Sequence, residues 1–133
     1  MTHHFFVTLR FSILFAGILS LRLCSAGDLR DQDAIHAIVG EAANQGYRGM
    51  LAVAGAIRNR GTLAGVYGLQ NPMADKQPHR VWMQARAAWR ESATNDITLG
   101  ATHWENVRVF GKPTWANTMH VTVIVKEHLF FKR

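Results

Sequence analysis

The sequence predicts an α+β fold: a lobe of about three helices, then a small antiparallel β-sheet on the C-terminal side. Three observations carry this. Apolar residues recur at helical spacing from Ile35 to about Ala93. After Ala101 the chain turns to aromatic and β-branched residues, and Val121, Val123 and Val125 alternate along it. Clusters of Gly, Pro, Asn and Asp divide these stretches.

The elements follow in order. Asp31 or Asp33 is placed to cap a first helix, and Ile35, Ile38, Val39 and Ala42 form its apolar face. Asn44-Gln45-Gly46 stops it. A second helix runs from about Tyr47 to Asn59, with Met50, Leu51, Ala54 and Ile57 inward. Its Ala52, Ala54, Gly55 and Ala56 let neighbouring helices approach closely, and Arg60-Gly61 ends it. Thr62 to Pro78 reads as loop, with Val66-Tyr67 a short extended piece. A third helix spans about Pro78 to Ala93; Val81, Trp82, Ala85, Ala88 and Trp89 line one face, and Thr94-Asn95-Asp96 closes it. Ala101 to Val109, Val121 to Val125 and Leu129-Phe130-Phe131 then supply two or three strands.

Residues 1–26 read as a secretory signal. Arg10 precedes the apolar run Phe11 to Leu21, which at about 11 residues is short for a bilayer but suits a signal core. Cys24-Ser25-Ala26 offers small residues for cleavage before Gly27, although Arg22 is unusual there. The reading is export to the periplasm or exterior, with membrane contact only through this segment. A buried helix, a lipidated cysteine or a retained anchor are the other readings of the same stretch. Residues 27–133 then form one domain of about 107 residues, enough for a single core.

With 48% apolar and 18% charged residues the chain has a globular composition. Its 15 Lys and Arg against 9 Asp and Glu favour polyanionic surfaces, whether nucleic acid, anionic lipid or envelope polymers, without choosing among them. The arginines are scattered, so nucleic acid is not the expected partner. Cys24 is the single cysteine, which excludes an intrachain disulfide and a cysteine zinc site.

Glu41 is the residue the helical pattern singles out, because it lies by the apolar face between Gly40 and Ala42. Desolvation there disfavours a charged carboxylate and suits a proton donor. By periodicity alone the commoner reading is a helix-edge glutamate paired with a basic residue such as Arg58 or Arg60.

The segment IVGEAANQGYRGMLAVAGAIRNR, Ile38 to Arg60, resembles the opening motif of the SleB-type cell wall hydrolases, a family that includes the spore-cortex-lytic enzymes. Gly100-Ala-Thr-His-Trp-Glu-Asn106 resembles that family's aromatic strand ahead of an Asn, Pro113-Thr-Trp115 its proline-aromatic element, and Glu127-His-Leu-Phe-Phe-Lys132 its terminal motif. The pieces run in the family's order over roughly residues 34–132. The resemblance implies a lysozyme-like α+β domain, a peptidoglycan substrate, and Glu41 as the essential acid. Two departures stand out. The family often carries a second acid where this chain has Asn44-Gln45, and Lys126-Glu127 replaces the usual Ile-Gly-Asn of the last motif.

Glycoside hydrolysis normally takes two carboxylates. A lytic transglycosylase works with one, which protonates the bridging oxygen and then accepts the proton of the muramic acid C6 hydroxyl. Glu41 is the only acid of its motif, so this chemistry is the expectation; Glu105 is the candidate second carboxylate, or else a solvent-facing strand residue. Tyr67, Trp104 and Trp115 are candidate sugar platforms or core aromatics. Asn59 and Asn106 are candidate substrate contacts, Asn59 otherwise a helix cap. His103 and His128 either shape the site or serve structure. No cofactor and no metal are expected, and a monomer is. A zinc amidase would need a compact ligand set, which the dispersed His36, His79, His103, His120 and His128 do not spell out. A two-carboxylate muramidase and a non-catalytic glycan-binding module are the other readings.

Overall fold

The computed structural model describes residues 29–133; the proposed signal segment and Cys24 lie outside them. Helix α1 spans Asp31–Ala42, α2 Gly46–Arg60 and α3 His79–Glu91. Strand β1 (His103–Glu105) leads into a one-turn helix α4 (Val107–Phe110), and β2 (His120–Val125) and β3 (His128–Lys132) form a hairpin. Two 3-10 turns, Tyr67–Gln70 and Thr114–Thr118, lie in the connections. The expected α+β arrangement is present: three main helices, then a three-stranded antiparallel sheet in the order β1-β3-β2.

Helix α2 is the centre of the core. Every residue from Gly49 to Ile57 is buried. Alanines and glycines along it let α1 and α3 pack close, while Met50, Val53 and Ile57 fill the space between. At Gly55 an added Cβ would lie 2.9 Å from Asp96 Oδ1, so glycine is required by the loop behind it. The helix stops at Gly61, whose φ of 72° is left-handed and whose N–H donates to Ile57 O. On α3, Trp89 is buried and donates from Nε1 to Asp31 Oδ1 at 2.8 Å. The Arg58 guanidinium lies 3.7 Å from the Trp89 ring centroid and bonds Trp89 O and Ser92 Oγ. Phe130 of the central strand β3 joins the sheet to the core of the helices, while Phe131 is buried edge-on to Trp115.

Three local expectations are corrected. Arg30, not an aspartate, occupies the N-cap position of α1, because Asp31 is engaged by Trp89 and Asp33 by Arg30. Val66 is extended, but Tyr67 begins a 3-10 turn. The stretch Ala101 to Val109 holds only three strand residues; Asn106 then caps α4 by accepting from Val109 N, and Gly111 ends that helix.

Candidate active site

Glu41 sits on the last turn of α1, three and four residues beyond the buried Ile38 and Ala37. The core face of the helix therefore carries its carboxylate to the edge of the core, where it is partly exposed. It opens into a groove of about 1210 Å³ between the helical lobe and the sheet. Glu41, Tyr67, His103, Trp104, Glu105, Asn106, Trp115 and His128 all line this groove. Asn59 does not: its Nδ2 donates to Asp96 Oδ2, Thr98 Oγ1 and Ala101 O, fastening the loop that precedes β1.

The Glu41 carboxylate is held from two sides. Oε1 accepts from the backbone N–H of Gly68 at 2.6 Å, and Oε2 from Trp104 Nε1 at 3.1 Å. Neither partner is charged. Arg58 is committed to Trp89 and Ser92, and Arg60 donates to Ala64 O, so the ion pair that periodicity allowed is not formed. The Gly68 bond exists because two glycines face each other. A Cβ on Gly40 would overlap the Gly68 carbonyl, and one on Gly68 would lie 2.5 Å from both Ala37 O and Glu41 Cγ. Asn71 Nδ2 locks the same junction by donating to Gly40 O at 2.9 Å. The 3-10 turn thus lies backbone to backbone on α1, with the Gly68 amide aimed at the Glu41 carboxylate.

The opposite wall is aromatic and polar. Trp104, in the middle of β1, pairs with Phe130 of β3. Trp115 packs its ring against His103 at 5.2 Å and edge-on to Phe131 at 5.3 Å, leaving part of its surface in the groove. Tyr67 and Phe110 are among the most exposed large side chains of the described residues and stand on the groove rim. Glu105 accepts at Oε1 from the N–H of its neighbour Asn106.

Two histidines are shifted towards the neutral form. Burial pushes His128 below its ordinary 6.5, against the opposing pull of the Glu41 and Glu127 charges. Burial, then the charges of Arg60 and Arg133, lowers His103. His128 Nδ1 is buried with no hydrogen-bond partner among the described residues.

Several groove residues carried no functional reading in the sequence. Gly68, Asn71 and Phe110 lie in short irregular segments without periodicity. Gln45 and Glu127 stood only as departures from a motif. Only Glu127 had a signal in outline, since Lys126-Glu127 stands between two β-favouring runs and so marks a hairpin turn.

Among solved structures the fold is similar to the catalytic domain of the germination-specific lytic transglycosylase SleB from Bacillus anthracis. The TM-score is 0.56 at 24% identity, over 81% of this chain and 99% of that one. It is similar also to the catalytic domain of the Bacillus cereus SleB protein, with a TM-score of 0.54 at 24% identity over 81% of this chain and 94% of that one. No protein-family model and no curated protein matches the chain.

Proposed function

We propose that this chain is an exported peptidoglycan-lytic enzyme that cleaves the glycan strand as a lytic transglycosylase, with Glu41 acting first as acid and then as base. The observation that carries the reading is the placement of one partly exposed carboxylate, gripped by Gly68 N–H and Trp104 Nε1–H, in a groove of about 1210 Å³. The fold shared with a named lytic transglycosylase domain supports it.

In this reading protonated Glu41 gives its proton to the oxygen bridging MurNAc C1 to the next GlcNAc. The C1–O bond breaks and its electron pair leaves with that oxygen. The C6 hydroxyl of the same MurNAc then attacks C1, and the Glu41 carboxylate takes the hydroxyl proton. A 1,6-anhydro ring forms, no water is consumed, and Glu41 is again protonated. The two hydrogen bonds fix the carboxylate at its ends, and each oxygen keeps acceptor capacity for the moving proton. Tyr67, Trp104 and Trp115 offer ring faces for pyranoses. Asn106, His103 and His128 line the contact region, and Asn59 acts indirectly by holding the loop ahead of β1.

One rival has an observation in its favour. Glu105 and Glu127 also line the groove, as a two-carboxylate muramidase would require. An amidase has less support, because among the described residues no group of three His, Cys, Asp or Glu is placed to hold a metal ion.

The test is digestion of purified peptidoglycan by the wild-type protein and by Glu41→Gln, with mass spectrometry of the products. Anhydro-muropeptides from the wild type alone support the reading. Reducing sugar ends favour the muramidase, and freed stem peptides overturn both glycan readings.

A further inference from the structure

Glu127 is one of two groove carboxylates, with Glu105, that the mechanism above leaves unused. It forms, with Lys126, the two-residue turn between β2 and β3, closed by the Val125–His128 pair. Lys126 has φ 56°, a left-handed conformation that costs a non-glycine residue energy and persists where the surroundings enforce it. Three hydrogen bonds fasten the residue that follows it. Glu127 N–H donates to Gln45 Oε1 at 3.1 Å, and Gln45 Nε2 and Asn106 Nδ2 donate to Glu127 Oε2 at 3.2 and 3.1 Å. Gln45 belongs to the α1–α2 corner and Asn106 caps α4, so the turn is tied to both walls of the groove.

These bonds use the backbone N–H and Oε2 and leave Oε1 outside the network. Among the described residues no Lys or Arg forms an ion pair with the carboxylate. A negative oxygen, oriented by neutral amides and lining the substrate groove, is suited to accept from a polar ligand group. Glu105 differs: its Oε1 accepts only from the backbone N–H of the adjacent Asn106, and no side-chain amide ties it to another element.

We propose that Glu127 is a substrate-positioning residue, whose Oε1 accepts a hydrogen bond from an acetamido N–H or hydroxyl of the glycan lying over Glu41. This rests on the glycan-lytic reading of the groove. Glu127 takes no part in bond cleavage; it fixes where the sugar sits.

The experiment compares Glu127→Gln with the double variant Gln45→Glu/Glu127→Gln, which rebuilds the carboxylate–amide contact from the other side. For Glu127→Gln, KM for peptidoglycan rises about tenfold while kcat stays within about threefold. In the double variant the melting temperature returns to the wild-type value but KM stays raised. Recovery of KM in the double variant shows a purely structural tie and overturns the proposal. So does a loss confined to kcat. Binding of a GlcNAc–MurNAc tetrasaccharide is measured in parallel on the Glu41→Gln background. Adding Glu127→Gln weakens binding about tenfold; equal dissociation constants overturn the proposal. A wild type that binds this glycan but cleaves no peptidoglycan overturns the lytic reading alone, since the binding comparison still reads Glu127.

Discussion

Glu41 takes its hydrogen bonds from two donors, Gly68 N–H and Trp104 Nε1–H, that the fold brings from the loop after α2 and from β1. Glu41→Gln keeps the shape of the side chain but removes the exchangeable proton, and its amide would set Nε2–H against the Trp104 N–H. Turnover of peptidoglycan is expected to fall by about 10²- to 10⁴-fold, with glycan binding retained. A binding module would lose nothing. Trp104→Phe keeps a ring against the core and removes one donor to a charged group. It should cost about tenfold in kcat, read in the same turnover assay. At this scale the place of Glu41 beside the apolar face of its helix was legible in the sequence, but its hydrogen-bond partners were not. A backbone N–H has no residue signature, and the contact of Trp104 with Glu41 spans 63 residues, beyond any local pattern.

At the scale of elements, the contact of α1 with the 3-10 turn at Tyr67–Gln70 decides the site. It depends on Gly40 and Gly68, where a side chain on either would push the backbones apart. Gly68→Ala is expected to destabilise the fold by about 1–3 kcal/mol, measured by denaturant unfolding, and to lower turnover more than that loss explains. The long elements were readable. Helix α2 showed its apolar period, its small residues and Gly61, and α3 its Val81, Ala85 and Trp89 face. The short ones were not. Four residues carry no measurable period, so the turn at Tyr67 resembled an extended piece. Val107-Arg-Val-Phe110 has strand-like composition, yet the Asn106 cap and Gly111 make it a helix. Those same short elements carry Gly68 and Phe110, which is why the groove wall was less legible than its floor.

At the scale of the whole molecule, the histidines make stability depend on pH. His128 and His103 are depressed in the fold below the 6.5 they have when unfolded. Between 6.5 and the folded values the unfolded chain therefore binds more protons, and stability falls as pH drops through that window. Above 6.5 both states are neutral at these residues and the effect is absent. Thermal melting between about pH 7.5 and pH 5 should show a falling melting temperature, with a smaller slope in His128→Gln. In the proposed reading, the scattered positive charge would add attraction to an anionic wall polymer without selecting a bond.

The chemistry assigned to Glu41 makes one demand of the whole reaction, that water takes no part. Digestion of purified peptidoglycan in heavy-oxygen water reads this directly. The account predicts glycan fragments that each end in an anhydro sugar, one water lighter than the reducing form and free of heavy oxygen. Fragments carrying one heavy oxygen at a reducing end would contradict it, and would place a second carboxylate of the groove beside Glu41 as the base that activates water.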